Sequence, residues 1–253
     1  MTECGDILPL HERRPVWINQ LIDIHEKQSQ NDGRRYEYQG KTSECRFKTE
    51  KSKSVSAAEL IGSRENLRIL DIGAARGAFV LMAQEMGHAA QALSIYDYHT
   101  DEYPMTKKIR KENYVVGNAE RLSNVEGLLN GYDLVISNKT FWLLIDPLGT
   151  LEQAYDKILP GGTIAVENFP LGKGVKPAGR DASQLDIETV RDLTIRAGFA
   201  EVSISSSQDV GHGANFVDIV ATRTSTRLAK SAFSMEYQMN GNSWQYAPIK
   251  KNC

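Results

Sequence analysis

The sequence predicts an α/β protein. The expected fold is a doubly wound, mostly parallel seven-stranded sheet with a C-terminal antiparallel hairpin, helices on both faces and an N-terminal cap. Three observations predict it. Strand-like and helix-like segments alternate from Asn66 to Thr224, the pattern of a parallel sheet built from βα units. The first apolar run, Leu67–Ile72, enters a helical pattern through the short turn Gly73-Ala74-Ala75-Arg76-Gly77. The last two apolar runs, "AEVSISSS" and "NFVDIVATR", follow one another with only a loop between, which suits a hairpin.

Each element has its own local reason. "PVWINQLIDIHEKQ" reads as a helix with Pro15 in its first turn and Trp17, Leu21 and Ile24 or Ile22 on one face. "RRYEYQGKTSECRFK" alternates about Gly40 and predicts a hairpin, and "SVSAAELIG" predicts a short helix ending at Gly62. In the core, "LRILDI" is the first strand, residues 78–87 a helix, "AQALSIYDY" the second strand and "NYVVGNA" the third. "YDLVISN" is the fourth. Helix "LGTLEQAYDKIL" is expected to stop at Pro160-Gly161-Gly162, before the fifth strand "TIAVENF". "DIETVRDLTIRAGF" is a further helix ended by Gly198. Three units result: a more polar cap at 1–65, the core at 66–224, and a polar tail at 225–253 with scattered aromatics.

Composition narrows the function classes. The chain has 253 residues, 41% hydrophobic and 25% charged, ordinary values for a folded globular protein rather than a disordered one. A formal net charge of −2 gives no broad attraction to nucleic acid or anionic membrane, so neither is the favoured partner. Cys4, Cys45 and Cys253 share no metal-like spacing and read as free thiols of a reducing compartment. No apolar run reaches membrane-spanning length, and "MTECGDILPLHERR" lacks the basic and apolar regions of a signal peptide. The expected location is cytoplasmic.

The turn at Gly73–Gly77 is the chemical feature. A strand, a glycine turn and a helix N-terminus form a ligand cradle at the edge of an α/β sheet. The spacing D-x-G-x-x-x-G, carried by Asp71, Gly73 and Gly77, is not the dinucleotide pattern G-x-G-x-x-G. It resembles the first motif of the class I S-adenosylmethionine-dependent methyltransferases. The later signals come in that family's order: Asp97 closing the second strand, "VVGNAERL", "YDLVISN", "ILPGGTIAVEN" and "RAGFAEVSI". The resemblance spans about Asn66 to Thr224, with two departures. Asn118 stands where the family commonly has Asp, and the interval from Asp97 to Asn118 is short, holding Pro104 and "KKIRK" in place of a full helix.

What the resemblance implies is a set of expectations. The cofactor is S-adenosyl-L-methionine, held by Asp71, Gly73, Ala74, Gly77, Asp97, Asn118, Ala119, Ser137 and Asn138. Asp97 would accept from both ribose hydroxyls; the Asn118 oxygen would take the adenine amino group and the Ala119 N–H a ring nitrogen. The reaction would place a methyl group on O or N of an acceptor, a small molecule being favoured. A base is needed only where that atom carries a proton, and the candidates are Glu167 and His99. His99 with Asp101 and Glu102 has no third partner at a defined spacing, so no metal site is expected. Two alternatives stand beside this reading: an RNA methyltransferase, and a cofactor-binding interaction protein without transfer activity. Gly73 and Gly77 also fit an ordinary strand–helix turn.

Overall fold

The computed structural model describes residues 10–32, 61–100, 103–138, 140–171, 186–196, 199–206, 215–224, 235–240 and 243–248. The expected hairpin at 34–48, most of the "SVSAAELIG" helix, Gly198 and all three cysteines lie outside these residues. Nine strands and four α-helices are described. The helices are α1 (Val16–Asp32), α2 (Ala78–Glu85), α3 (Pro147–Lys157) and α4 (Ile187–Arg196).

Strands β1 (Arg68–Ile72), β2 (Ala89–Ser94), β3 (Tyr114–Val116), β4 (Tyr132–Asn138), β5 (Ile158–Leu171), β6 (Phe199–Ser206) and β7 (Asn215–Arg223) form one sheet. Its order is β3-β2-β1-β4-β5-β7-β6. The first five strands pair in parallel, and β7 runs antiparallel to both β5 and β6. This is the predicted doubly wound sheet with its terminal hairpin. In the polar tail, β8 (Met235–Asn240) and β9 (Ser243–Pro248) pair as a separate two-stranded sheet.

Alternation along β1 explains the layers. Leu70 and Ile72 face one apolar cluster, which contains Leu148, Leu151 and Tyr155 of α3. Ile69 faces the other, with Phe79, Val80 and Ala83 of α2. Both faces of this central strand are covered, so its apolar run is nearly continuous. Helix α1 belongs to the first cluster through Ile18 and Ile22, one turn apart, with Leu10 just before it. Each such buried side chain contributes roughly 1.5–3 kcal/mol. Trp17 and Leu21 pack on the rim of that face, while Ile24 is exposed.

Two elements differ from the sequence reading. The second strand ends at Ser94, so Asp97 lies three residues beyond it rather than closing it. Helix α3 ends at Lys157, before Pro160-Gly161-Gly162, and these residues lie inside β5 as a bulge. Tyr132 pairs with Ile158 and Leu134 with Thr163, so the four residues 159–162 of β5 stand opposite Asp133 alone. The described part of the crossover between β2 and β3 holds two 3-10 turns, Thr106–Lys108 and Lys111–Asn113. That shape follows from the short interval and from Pro104.

Candidate active site

Sheet order reverses between β1 and β4, and in open α/β sheets ligands settle at the carboxyl ends of strands beside such a reversal. The Gly73–Gly77 turn leaves β1 at that point. Its backbone enters the left-handed region three times, with φ of 78° at Gly73, 47° at Ala75 and 73° at Gly77. Two of the three positions are glycine, which adopts this region without steric cost. Gly77 then caps α2.

The turn is tied down by the strand beside it and by the crossover. The N–H groups of Gly73 and Ala74 both donate to the Leu93 carbonyl, at 2.8 and 3.0 Å. The Tyr114 hydroxyl donates to the Ala75 carbonyl at 2.5 Å, and Thr106 Oγ1 to the Arg76 carbonyl at 2.9 Å. Burial pushes the Tyr114 hydroxyl well above the ordinary tyrosine range, so it stays a donor into the alkaline range. The buried Arg76 guanidinium lies 5.4 Å from the Tyr98 ring centre and 5.3 Å from that of Tyr103. Neighbouring side chains also crowd the glycines. A methyl group on Gly73 would overlap Thr140, from the loop after β4, and one on Gly77 would overlap Ile109. These glycines therefore answer a packing demand as well as a conformational one.

The other predicted residues are spread along the same carboxyl ends. Asp71 is buried in β1. Asp97 is half-exposed; it accepts from the His99 N–H at 2.8 Å and pairs with Lys111 at 3.2 Å. Asn118, two residues after β3, is buried, and Ala119 opens a 3-10 helix behind it. Ser137 Oγ donates to the Ile72 carbonyl at 2.9 Å, which joins β4 to the end of β1. Asn138 ends β4 in register with Glu167 of β5.

The two base candidates do not meet. His99 follows β2 and Glu167 lies on β5, three strand spacings away, or about 14 Å. His99 Nε2 also donates to the Ile109 carbonyl at 2.9 Å, closing its own loop. Asp101, Glu102, Lys139 and His212 lie outside the described residues. Among the described residues no group of three or more His, Cys, Asp and Glu side chains could hold a metal ion.

Sequence reasoning missed a buried ionic junction between the N-terminal segment and the loop after β3. Glu120, Asp146 and Glu152 are fully buried there. Arg14 Nε donates to Asp146 at 2.5 Å, and Arg14 Nη1 also donates to the Glu120 carbonyl. His11 Nδ1 lies 2.9 Å from Glu152, and His25 Nδ1 lies 3.7 Å from Glu120. From α1, Glu26 accepts from Asn118 Nδ2 at 2.9 Å, and Asp23 pairs with Arg121. The partners lie up to 141 positions apart, so no local spacing could disclose them.

Solved structures share this fold. One is 1,6-didemethyltoxoflavin N1-methyltransferase of Burkholderia thailandensis, solved with 1,6-didemethyltoxoflavin and S-adenosylhomocysteine. It has a TM-score of 0.55 at 16% identity, over 87% of this chain and 92% of that one. The chain has the class I S-adenosylmethionine-dependent methyltransferase fold. Magnesium protoporphyrin IX methyltransferase of Synechocystis, with S-adenosylhomocysteine bound, matches at TM-score 0.53 and 13% identity, over 81% of this chain and 99% of that one. Haemonchus contortus phosphoethanolamine N-methyltransferase 2 was solved with phosphomonomethylethanolamine and S-adenosylhomocysteine. It matches at TM-score 0.52 and 15% identity, over 68% of this chain, which spans about half that enzyme's length (52%). No protein-family model matches the sequence, and no curated protein matches it. The methyltransferase fold is thus shared at the level of architecture.

Proposed function

We propose that the chain is an S-adenosylmethionine-dependent methyltransferase acting on an O or N atom of a small-molecule acceptor. The observation that carries this reading is the glycine turn at the β1/β4 reversal, with Asp71 buried just before it. The acceptor chemistry around it fits the cofactor: a carboxylate at Asp71 and a second at Asp97. Methyltransferases of this fold that act on small molecules support the acceptor class. We read residues 1–65 as a cap, 66–224 as the cofactor-binding core and 225–253 as a tail, in a cytoplasmic protein.

Asp71, Gly73, Ala74 and Gly77 would hold the methionine end, Asp97 the ribose, and Asn118 with Ala119 the adenine. Ser137 and Asn138 would line the mouth. Bound S-adenosylmethionine supplies an activated methyl group, so the protein's main task is to orient the acceptor and exclude water. Of the two base candidates we favour Glu167, which stands in register with Asn138 at the carboxyl ends of β4 and β5. A Glu167 carboxylate oxygen would take the proton from an acceptor O–H or N–H.

Titration calorimetry with S-adenosylmethionine, S-adenosylhomocysteine and NAD tests the reading. Saturable binding of the first two is expected. Binding of NAD alone would overturn it.

One observation favours an RNA acceptor instead: Lys107, Lys108, Arg110 and Lys111 are all exposed on the crossover. That reading predicts RNA binding that weakens steeply with salt, as phosphate contacts do.

A further inference from the structure

We infer that Glu26, on the N-terminal helix α1, is the carboxylate that recognises the adenine amino group, a role that Asn118 alone does not fill. This rests on the reading above that adenine lies at the loop after β3.

The first step is the state of Asn118. Its Oδ1 accepts from the Glu120 N–H at 2.9 Å, so the oxygen caps the following 3-10 helix. Its Nδ2 points to α1 and donates to Glu26 Oε2 at 2.9 Å. The side chain therefore presents an N–H donor to α1. The exocyclic amine of adenine is also a donor, and two donors do not pair. The nearest charged acceptor bonded to this loop through Asn118 is Glu26.

The second step is the state of Glu26. It is half-buried, and its hydrogen-bond partners among the described residues are the amides of Asn118 and, at 3.5 Å, Gln30. Both are neutral. A carboxylate offers about four acceptor positions, and a half-buried one keeps some of them open to a ligand. An amino group of the cofactor would fill one of them.

The third step is rigidity. Glu26 lies one turn beyond Ile22, which is fully buried, and its helix is pinned by Arg14 to Asp146. The carboxylate is thus placed by contacts that do not depend on Glu26 itself. A consequence is that α1 takes part in cofactor selection, although it precedes β1 by more than thirty residues.

The analogue of S-adenosylhomocysteine that carries purine in place of adenine separates this from a merely structural role. It differs at one position, where a hydrogen atom replaces the amino group, and its ring nitrogens stay acceptors. The wild-type protein should prefer S-adenosylhomocysteine by about tenfold or more, the range of a hydrogen bond to a charged group. E26Q keeps an acceptor for Asn118, and its preference should fall to about threefold or less. N118D sets two carboxylates face to face and should bind S-adenosylhomocysteine more weakly than wild type. N118D/E26Q restores one carboxylate and one amide and should recover both affinity and preference. An undiminished preference in E26Q, or no preference in the wild type, would overturn the role of Glu26 while leaving cofactor binding in place. If the wild type binds neither compound, the methyltransferase reading fails, and this inference with it.

Discussion

The glycine turn after β1 and the junction beneath α1 both border the carboxyl ends of the parallel strands, but unlike forces hold them. The turn is fixed by neutral hydrogen bonds to the Leu93 carbonyl and from Thr106 and Tyr114, and by rings around Arg76. Its partners lie within 39 positions of one another. The junction is fixed by the Arg14–Asp146 ion pair and holds further buried carboxylates. Three fully buried carboxylates meet Arg14, His11 and His25, across as many as 141 positions. A neutral contact that is lost costs about its own small net value. A buried charge that loses its partner costs its desolvation as well. The junction is therefore the more brittle of the two, although the turn is nearer the expected chemistry.

Arg14→Ala should show the largest effect. Asp146 is fully buried and the Arg14 side chain nearly so, at 5%. Removing one member of such a pair destabilises a protein by about 3–5 kcal/mol. Urea unfolding of the wild type and the variant measures it. A loss below about 1 kcal/mol would put the pair in the class of surface ion pairs and abolish the contrast. Arg14→Met with Asp146→Asn sharpens it, since removing both charges should cost less than removing either one.

The same contrast explains what was legible in the sequence. Leu67–Ile72, the D-x-G-x-x-x-G spacing and the order of the later strands are local patterns, and they disclosed the sheet and the turn. The last strands followed because a hairpin needs no crossover. The junction was invisible because Glu120, Asp146 and Glu152 read as ordinary polar residues until the fold buries them. Asp97 was placed at a strand end because "SIYDY" continues an apolar pattern; the strand stops at Ser94, whose Oγ accepts from the Tyr96 N–H. Pro160-Gly161-Gly162 reads locally as a helix stop, yet pairing with β4 absorbs it as a bulge. Glu26 had no signal in the sequence at all, because its meaning depends on Asn118, 92 positions away.

Gly73→Ala tests the turn from its crowded side. The new methyl would meet Thr140 and would have to sit at φ of 78°. Overpacking of this kind costs roughly 1–3 kcal/mol, and left-handed backbone adds about 1–2. A destabilisation of about 2–5 kcal/mol is expected from urea unfolding, centred below that of Arg14→Ala. Adding Thr140→Gly should return the steric part and leave about 1 kcal/mol for the backbone. If the double variant recovers nothing, Thr140 is not what forbids a side chain at this position.

Tyr114→Phe should have the smallest effect, and a distinctive pH signature. At neutral pH it removes one neutral hydrogen bond, to the Ala75 carbonyl, worth about 1 kcal/mol. Burial, the largest cause, raises the folded-state pKa of the Tyr114 hydroxyl above its ordinary value near 10. The folded protein then holds this proton where the unfolded chain has released it. Its contribution is complete below pH 10 and declines as the pH rises beyond that. Tyr132 behaves alike, its buried hydroxyl pushed up to about 12 while donating to Gln91 at 2.6 Å. Urea unfolding at pH 7, 10 and 11 should therefore show a shallower alkaline decline in Tyr114→Phe than in the wild type. Tyr132 keeps that decline from vanishing. An unchanged slope would mean that the Tyr114 hydroxyl is not held as a buried donor, and that the turn leans on Leu93 and Thr106 alone.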